Sequence, residues 1–332
     1  MKNNTVRWGI IGTGRIANAF AAGLRHTPNG ELCAVGSRDI KNASAFAQEC
    51  EINLAFGSYE ELAKSDEVDA VYIATPHSSH AENSILCMQN GKAVLCEKPF
   101  AVNADQVQQM ITTAKNENVL LMEGMWSRFP PVMRKLRDWV KQGKIGQIRT
   151  VHADFGFLPK EKNPEGRLFN PDLAGGSLLD LGVYPISFAS MLLGKPSNMQ
   201  TLANLGPTGV DEQAGWIFRY PNGALAIMLS SLECETRQEA YVSGSLGSIR
   251  IHKQCWKPQK MTFKENHEGE EEVLEIPFIG NGFNYEAESF GELFLTGQKE
   301  SQIMPLSESL EIAIQMDEIR KDWGLIYPMD LH

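Results

Sequence analysis

Three groups of residues in this chain have the types and spacing to do chemistry. Glu97-Lys98-Pro99 follows the short apolar run Ala93-Val94-Leu95-Cys96. Proline lacks an amide hydrogen and disfavours the helical region for the residue before it, so Lys98 is expected in extended backbone at a strand's exit, its ammonium beyond the sheet edge. Asp180 and Tyr184 stand four apart in an apolar helical pattern, which projects both from one helical face. A tyrosine near an ammonium has its phenolate favoured, which suits a proton acceptor in alcohol oxidation. Gly12-Thr13-Gly14-Arg15-Ile16-Ala17 is G-x-G-x-x-A between a strand and a helix. Its glycines allow a tight turn and close approach of backbone to a pyrophosphate at the helix amino terminus, and Ala17 allows close helix–sheet packing. Each group also has a plainer reading: Lys98 as a surface lysine in a turn, Tyr184 as a core-edge aromatic, Asp180 as a solvated helix residue.

The next strand, Glu31 to Gly36, ends in Ser37-Arg38-Asp39. A hydroxyl and a guanidinium suit the 2'-phosphate of NADP better than the bare ribose of NAD, so NADP is the expected cofactor. Arg38 could equally be a solvated loop residue. Asp39 could take the ribose hydroxyls, but it also suits the cap of a helix from Ile40 to about Cys50. Trp126 and Phe155 are candidate walls of a substrate pocket, able to stack on the apolar face of a ring, and Arg128 and Arg167 complete that pocket set.

These residues need a frame. In the first half, apolar runs ending at Gly12, Gly36, Gly57, Thr75-Pro76, Glu97 and Glu123 alternate with helical patterns. That alternation predicts a Rossmann-type, doubly wound parallel sheet over residues 1–124, in which ligands bind beyond the carboxyl ends of the strands. From residue 125 to 332 the pattern changes to alternating segments such as Ile148–Phe157 and a hairpin at Pro221-Asn222-Gly223, which predicts an α+β domain with an open, mainly antiparallel sheet. The charged loop Pro159–Arg167 is either a lid or a surface excursion, and the acidic run Glu268–Glu272 is expected as a solvated turn.

Composition narrows the class. A net charge of -10 repels a phosphate backbone, which argues against nucleic acid as a partner. The six cysteines contain no C-x-x-C pair, so no metal site is expected and a reducing compartment fits. No apolar run long enough for a membrane span and no signal-peptide core are evident, so no membrane partner and a cytoplasmic location are expected.

Together, Gly12–Ala17, Glu97-Lys98-Pro99, and Asp180 with Tyr184 resemble the Gfo/Idh/MocA oxidoreductases over nearly the whole chain. Many members have His where Tyr184 stands. Tyrosine there, with Met125–Phe129 and Gly175–Tyr184, is more similar to the branch containing dihydrodiol dehydrogenases and NADP-dependent D-xylose dehydrogenases. The resemblance implies that Lys98 is catalytic, that Lys98–Pro99 is a cis peptide, and that Thr75, Pro76, His77 and His80 lie on the nicotinamide side. Gly12, Thr13, Gly14, Arg15, Ile16, Ser37, Arg38, Glu97 and Lys98 complete the expected cofactor set. It also implies a homodimer formed through the open sheet. The expected reaction is hydride transfer between nicotinamide C4 and a secondary alcohol of a sugar, polyol or cyclic diol. Tyr184 or Lys98 would accept the proton and Asp180 would position the substrate or Lys98. The rival expectation is a non-catalytic, NADP-sensing regulatory protein on the same scaffold.

Overall fold

The computed structural model of the protein describes residues 5–267 and 269–331. Its first strands are Val6–Ile11 (β1), Gly30–Gly36 (β2), Leu54–Phe56 (β3), Ala70–Ile73 (β4), Ala93–Glu97 (β5) and Leu121–Gly124 (β6). Between them run helices Arg15–Leu24 (α1), Ile40–Cys50 (α2), Tyr59–Lys64 (α3), His80–Gln89 (α4) and Ala104–Asn116 (α5). The strands pair in the order β3-β2-β1-β4-β5-β6, every pair parallel, which is the doubly wound sheet the alternation predicts. Chain direction across the sheet reverses between β1 and β4, so the ligand crevice of such a sheet opens at the carboxyl ends of these two strands. Strands β4 and β5 are buried along their whole length, as strands covered by helices on both faces must be. Polar caps set the helix starts: Asp39, Ser58 and Asn103 accept the amides of Lys41, Glu61 and Gln106 at 2.8, 3.2 and 2.9 Å.

After Pro131–Lys141 (α6) and Ile148–Gly156 (β7) comes Val183–Leu193 (α7), then strands Asn198–Leu205 (β8), Asp211–Arg219 (β9), Leu225–Ser231 (β10), Ala240–Gly244 (β11), Gly247–Ile251 (β12), Lys260–Glu265 (β13) and Glu271–Glu275 (β14). Helices Phe283–Leu295 (α8) and Leu306–Trp323 (α9) follow. The second sheet has the order β14-β13-β12-β11-β7-β10-β9-β8, antiparallel except for β7 with β10. The expected hairpin joins β9 to β10: the Tyr220 amide donates to the Ala224 carbonyl at 3.0 Å and Gly223 adopts a φ of +81°. Glu271 and Glu272, expected in a solvated turn, instead begin β14 opposite Lys264 and Phe263, where Lys264 forms an ion pair with Glu271 at 3.8 Å; Glu268 lies outside the described residues.

The chain forms two compact units, one made of residues up to Phe129 with Phe278–Ala313, the other of Pro130–Pro277 with the residues from Ile314 onward. This differs from a single boundary between residues 124 and 125. Apolar packing explains the return of the later segment: Phe290 of α8 lies 4.9 Å from Trp8, which packs on Phe20 at 5.4 Å, and Phe283 stacks on Trp126 at 4.6 Å. The Asn281 amide also donates to the Ala19 carbonyl at 2.7 Å. In the second unit the segment Pro171–Leu193 is long and apolar enough to span a bilayer, but 72% of its most apolar 18-residue stretch is buried inside the protein, which makes it a core segment.

Candidate active site

In the first unit the turn after β1 has the shape of a diphosphate cradle. Gly12 has a φ of +106°, and a Cβ there would lie 2.7 Å from the Ala74 carbonyl oxygen, so β1 and β4 can end side by side only with glycine at this position. Gly14 caps α1 with open space around it, no side-chain cap and no acidic residue in the first turn, which leaves the helix amino terminus to an anion. Thr13 and Ile16 are half-buried and Arg15 is exposed. At the end of β2, Ser37 is buried and Arg38 exposed, with the Tyr59 hydroxyl in hydrogen-bonding reach of the guanidinium. Asp39 caps α2, one carboxylate oxygen accepting the Lys41 amide at 2.8 Å.

The peptide between Lys98 and Pro99 is cis, and Lys98 is half-buried. Glu97 turns inward: one carboxylate oxygen accepts the Lys98 amide at 3.0 Å and the other accepts the Tyr72 hydroxyl. Its side chain therefore braces the strand exit. Beside it Glu286 is fully buried with neither oxygen hydrogen-bonded among the described residues, and burial, then the Glu97 charge, holds its carboxyl well above the usual range. At the end of β6, Glu123 is likewise raised to about 7 by burial, against the opposing pull of Ser309 and Arg128.

Thr75 is buried, Pro76 exposed and His77 half-buried in the turn after β4. His80 is 1% exposed, with Nδ1 at 2.8 Å from the Pro99 carbonyl oxygen and Nε2 at 3.0 Å from that of Thr75. Both ring nitrogens are thus in contact with the protein backbone. The Arg128 side chain is 2% exposed and donates to Glu308 at 2.7 Å and to the Ile303 carbonyl at 3.2 Å, so it ties the chain after β6 to the start of α9 inside the first unit. Trp126 is 7% exposed, its ring plane within 11° of Phe283.

The second unit gathers the other candidates. Asp180 lies in a π-helical turn, Leu178–Gly182, that runs directly into α7, where Tyr184 is the second residue. Such turns widen the backbone and are frequent at functional sites. Arg167 donates to Asp180 at 2.9 Å. The Tyr184 ring packs against Phe155 at 5.4 Å, and Phe155 stacks on Trp256 at 3.8 Å with planes 6° apart. Asp180, Tyr184, Phe155 and Arg167, far apart in sequence, therefore form one cluster with an aromatic wall and an ion pair.

Two members of this assembly carried no signal in the sequence. Trp256 is an isolated aromatic in the loop before β13. Asp211 opens β9 fully buried and accepts the Ser177 hydroxyl at 2.8 Å and the Leu178 amide at 2.6 Å, which fixes the start of the π turn. Burial raises its carboxyl to about 7 even with those bonds opposing. Gly176 has a φ of +114°, and a Cβ there would collide with the Asp211 carboxylate. Among the described residues no three His, Cys, Asp or Glu side chains gather as a metal site requires.

Comparison with known proteins gives these features a family. Residues 6–125 match the Gfo/Idh/MocA oxidoreductase family with its NAD-binding Rossmann fold, and residues 133–250 match a C-terminal domain of the same family. The chain is 40% identical to trans-1,2-dihydrobenzene-1,2-diol dehydrogenase of Mus musculus, over 98% of this chain and 99% of that protein. It is 27% identical to KijD10, a 3-ketoreductase from Actinomadura kijaniata solved with NADP and TDP-benzene, with a TM-score of 0.83 over 96% of this chain and 98% of that one. Levoglucosan dehydrogenase, solved with NADH and levoglucosan, shares the fold at a TM-score of 0.88 and 18% identity, over 96% of this chain and 97% of that one. With its Rossmann unit built for NAD(P) and its mixed-sheet unit carrying the Asp180–Tyr184 cluster, the chain belongs to the Gfo/Idh/MocA oxidoreductase family.

Proposed function

We propose that this oxidoreductase is an NADP-dependent dehydrogenase that oxidises a secondary alcohol of a cyclic diol or sugar, the first unit holding the cofactor and the second the substrate. The observation that carries this reading is the Tyr184 cluster: a phenol packed on an aromatic wall, Phe155 with Trp256, four residues along the chain from an ion pair, Asp180 with Arg167. A flat or weakly puckered ring bearing hydroxyls suits that combination of stacking surface and polar contacts. Full-length similarity to a trans-dihydrodiol dehydrogenase supports the same substrate class.

The nicotinamide, when bound, supplies the acceptor for the hydride. The hydroxyl proton of the substrate passes from its oxygen to the phenolate of Tyr184 as the hydride leaves the carbon bearing that oxygen, and the product is a ketone, or a lactone where that carbon is anomeric. Lys98 stabilises the negative charge that develops on the substrate oxygen. Asp180 and Arg167 orient the neighbouring hydroxyl. Gly12–Ile16 take the pyrophosphate. Thr75, Pro76 and His77 lie along the nicotinamide side, with Glu97 and His80 acting through the backbone behind it. Ser37 and Arg38 take the 2'-phosphate, a preference supported by the capping duty of Asp39.

The protein acts as a homodimer through the open face of the second sheet, where Leu202, Ile217, Leu225 and Ile227 are exposed at 83%, 47%, 37% and 39%. Its net charge of -10 disfavours nucleic acid, and a cytoplasmic location fits the supply of NADP. The test is a panel of cyclic trans-diols and aldoses assayed with NADP and with NAD by nicotinamide absorbance. Turnover of diols or sugars with NADP preferred is expected. Tight NADP binding with no absorbance change on any substrate would favour the regulatory alternative.

A further inference from the structure

The proposed reaction leaves one buried titratable ring without a chemical task. His80 begins α4, and each of its nitrogens faces a backbone carbonyl, Pro99 at 2.8 Å and Thr75 at 3.0 Å. Carbonyl oxygens only accept, and a neutral imidazole has one N–H, so only the charged ring could donate to both. Burial opposes that charge and lowers the ring to about 4, against the pull of the two carbonyls and with the Lys98 ammonium acting in the same direction as burial. At neutral pH one proton therefore has two acceptors to choose between. The Thr75 turn has a second tie, because the Asn83 amide donates to the Thr75 hydroxyl at 3.3 Å. The His77 ring lies edge-on to His80, with centroids 5.7 Å apart. On the other side, the shorter contact reaches the carbonyl of the residue directly after Lys98.

We propose that His80 is a positioning residue whose neutral ring, protonated at Nδ1, donates to the Pro99 carbonyl and so fixes the Lys98 turn against the turn at Thr75–Pro76. The proposal rests on the reading of Lys98 as a catalytic group. It assigns His80 no contact with cofactor or substrate. The ring acts by setting the distance between two strand-end turns that the sheet alone leaves adjustable.

Three variants separate this role from simple packing. In His80→Asn the amide nitrogen falls near the position of Nδ1, in His80→Gln it falls near that of Nε2, and His80→Phe keeps the ring volume with neither donor. A misplacement of about 1 Å in a catalytic group costs up to about 100-fold in rate. The expected result is a kcat lowered roughly 10- to 100-fold in His80→Gln and His80→Phe, a markedly smaller loss in His80→Asn, and little change in NADP Kd in any of them. Equal kcat in the Asn and Gln variants overturns the proposal, as does unchanged kcat in His80→Phe. Nitrogen-15 shifts of the His80 ring in the wild-type protein supply a readout that needs no turnover. A neutral Nδ1–H tautomer supports the proposal, and an Nε2–H tautomer defeats it. A wild-type protein that oxidises no diol or sugar defeats the dehydrogenase reading instead, and the ring spectrum keeps the two failures apart.

Discussion

Tyr184 and Lys98 are assigned two halves of one event, the removal of a proton and the stabilisation of the charge left behind. A group that transfers a proton in the transition state contributes roughly 10²- to 10⁴-fold, so Tyr184→Phe should lower kcat by about that factor while NADP affinity, measured by fluorescence titration, stays at the wild-type value. Unchanged turnover removes Tyr184 from the chemistry. Under the proposed mechanism both side chains serve the substrate oxygen, so Lys98→Ala and Tyr184→Phe should combine to much less than the sum of their separate losses; full additivity would assign them to different steps. The role proposed for Arg38 is in binding alone. Charge-assisted hydrogen bonds are worth about 1.5 to 3 kcal/mol, so Arg38→Ala should weaken NADP by roughly ten- to a hundredfold and spare NAD, whereas equal loss for both cofactors removes the 2'-phosphate role. Glu97-Lys98-Pro99 and the glycine turn were legible in the sequence because their chemistry is local: proline and glycine impose the same backbone limits in any surroundings. Arg128 was not legible in the same way. An arginine beside aromatic residues reads alike whether its partner is a substrate or Glu308, and only tertiary packing decides between them.

Among the elements, the π turn at Leu178–Gly182 shows what spacing alone conceals. Asp180 and Tyr184 are four residues apart, which on a regular helix places them on one face, yet the chain between them is wider than an α-helix. The cause lies outside the segment. Asp211, thirty-odd residues on by count from Ser177, accepts the hydroxyl and amide that open the turn, and Trp216 leaves room only for glycine at position 182, where a Cβ would lie 2.8 Å from its ring. Asp211 also couples this turn to pH. Its folded-state pKa of about 7 lies above the unfolded value near 4, so the stability it contributes is complete below about pH 4 and is lost as pH rises through 7. Between about pH 5 and pH 8, wild-type protein should lose on the order of 2 kcal/mol more than Asp211→Asn, measured from urea midpoints. Parallel pH profiles for the two proteins would show that Asp211 is ionised throughout. The alternating strands of the second sheet and the caps of α2 and α3 were readable from sequence, since period and capping chemistry lie within a few residues of each other.

At the scale of the molecule, two surfaces carry most of the consequence. On the second sheet, Ile217 and Ile227 face each other across β9 and β10 and are both exposed. Ile217→Lys, a surface change expected to alter monomer stability by about 0.5 kcal/mol or less, should convert the dimer to a monomer in sedimentation analysis. A dimer that survives the lysine, or a wild-type monomer, sinks the proposed interface. The other surface is internal, where Phe290 closes on Trp8; Phe290→Ala should destabilise the first unit by about 3 to 5 kcal/mol, read from thermal unfolding, though the residue lies far from any strand of the first sheet in sequence. No pattern in the sequence revealed that α8 belongs with the Rossmann strands, because an apolar helix declares that it must be covered without declaring by what.

That return of Phe278–Ala313 to the first unit bears on how the protein is made. A nascent chain that has delivered β1 to β6 still lacks the helix that packs on Trp8, so that part of the first unit's cover is completed only when most of the polypeptide has emerged. The intervening unit has its own sheet to assemble in that interval, and a recombination event that exchanged substrate specificity would have to splice in the middle of the gene while preserving both flanks.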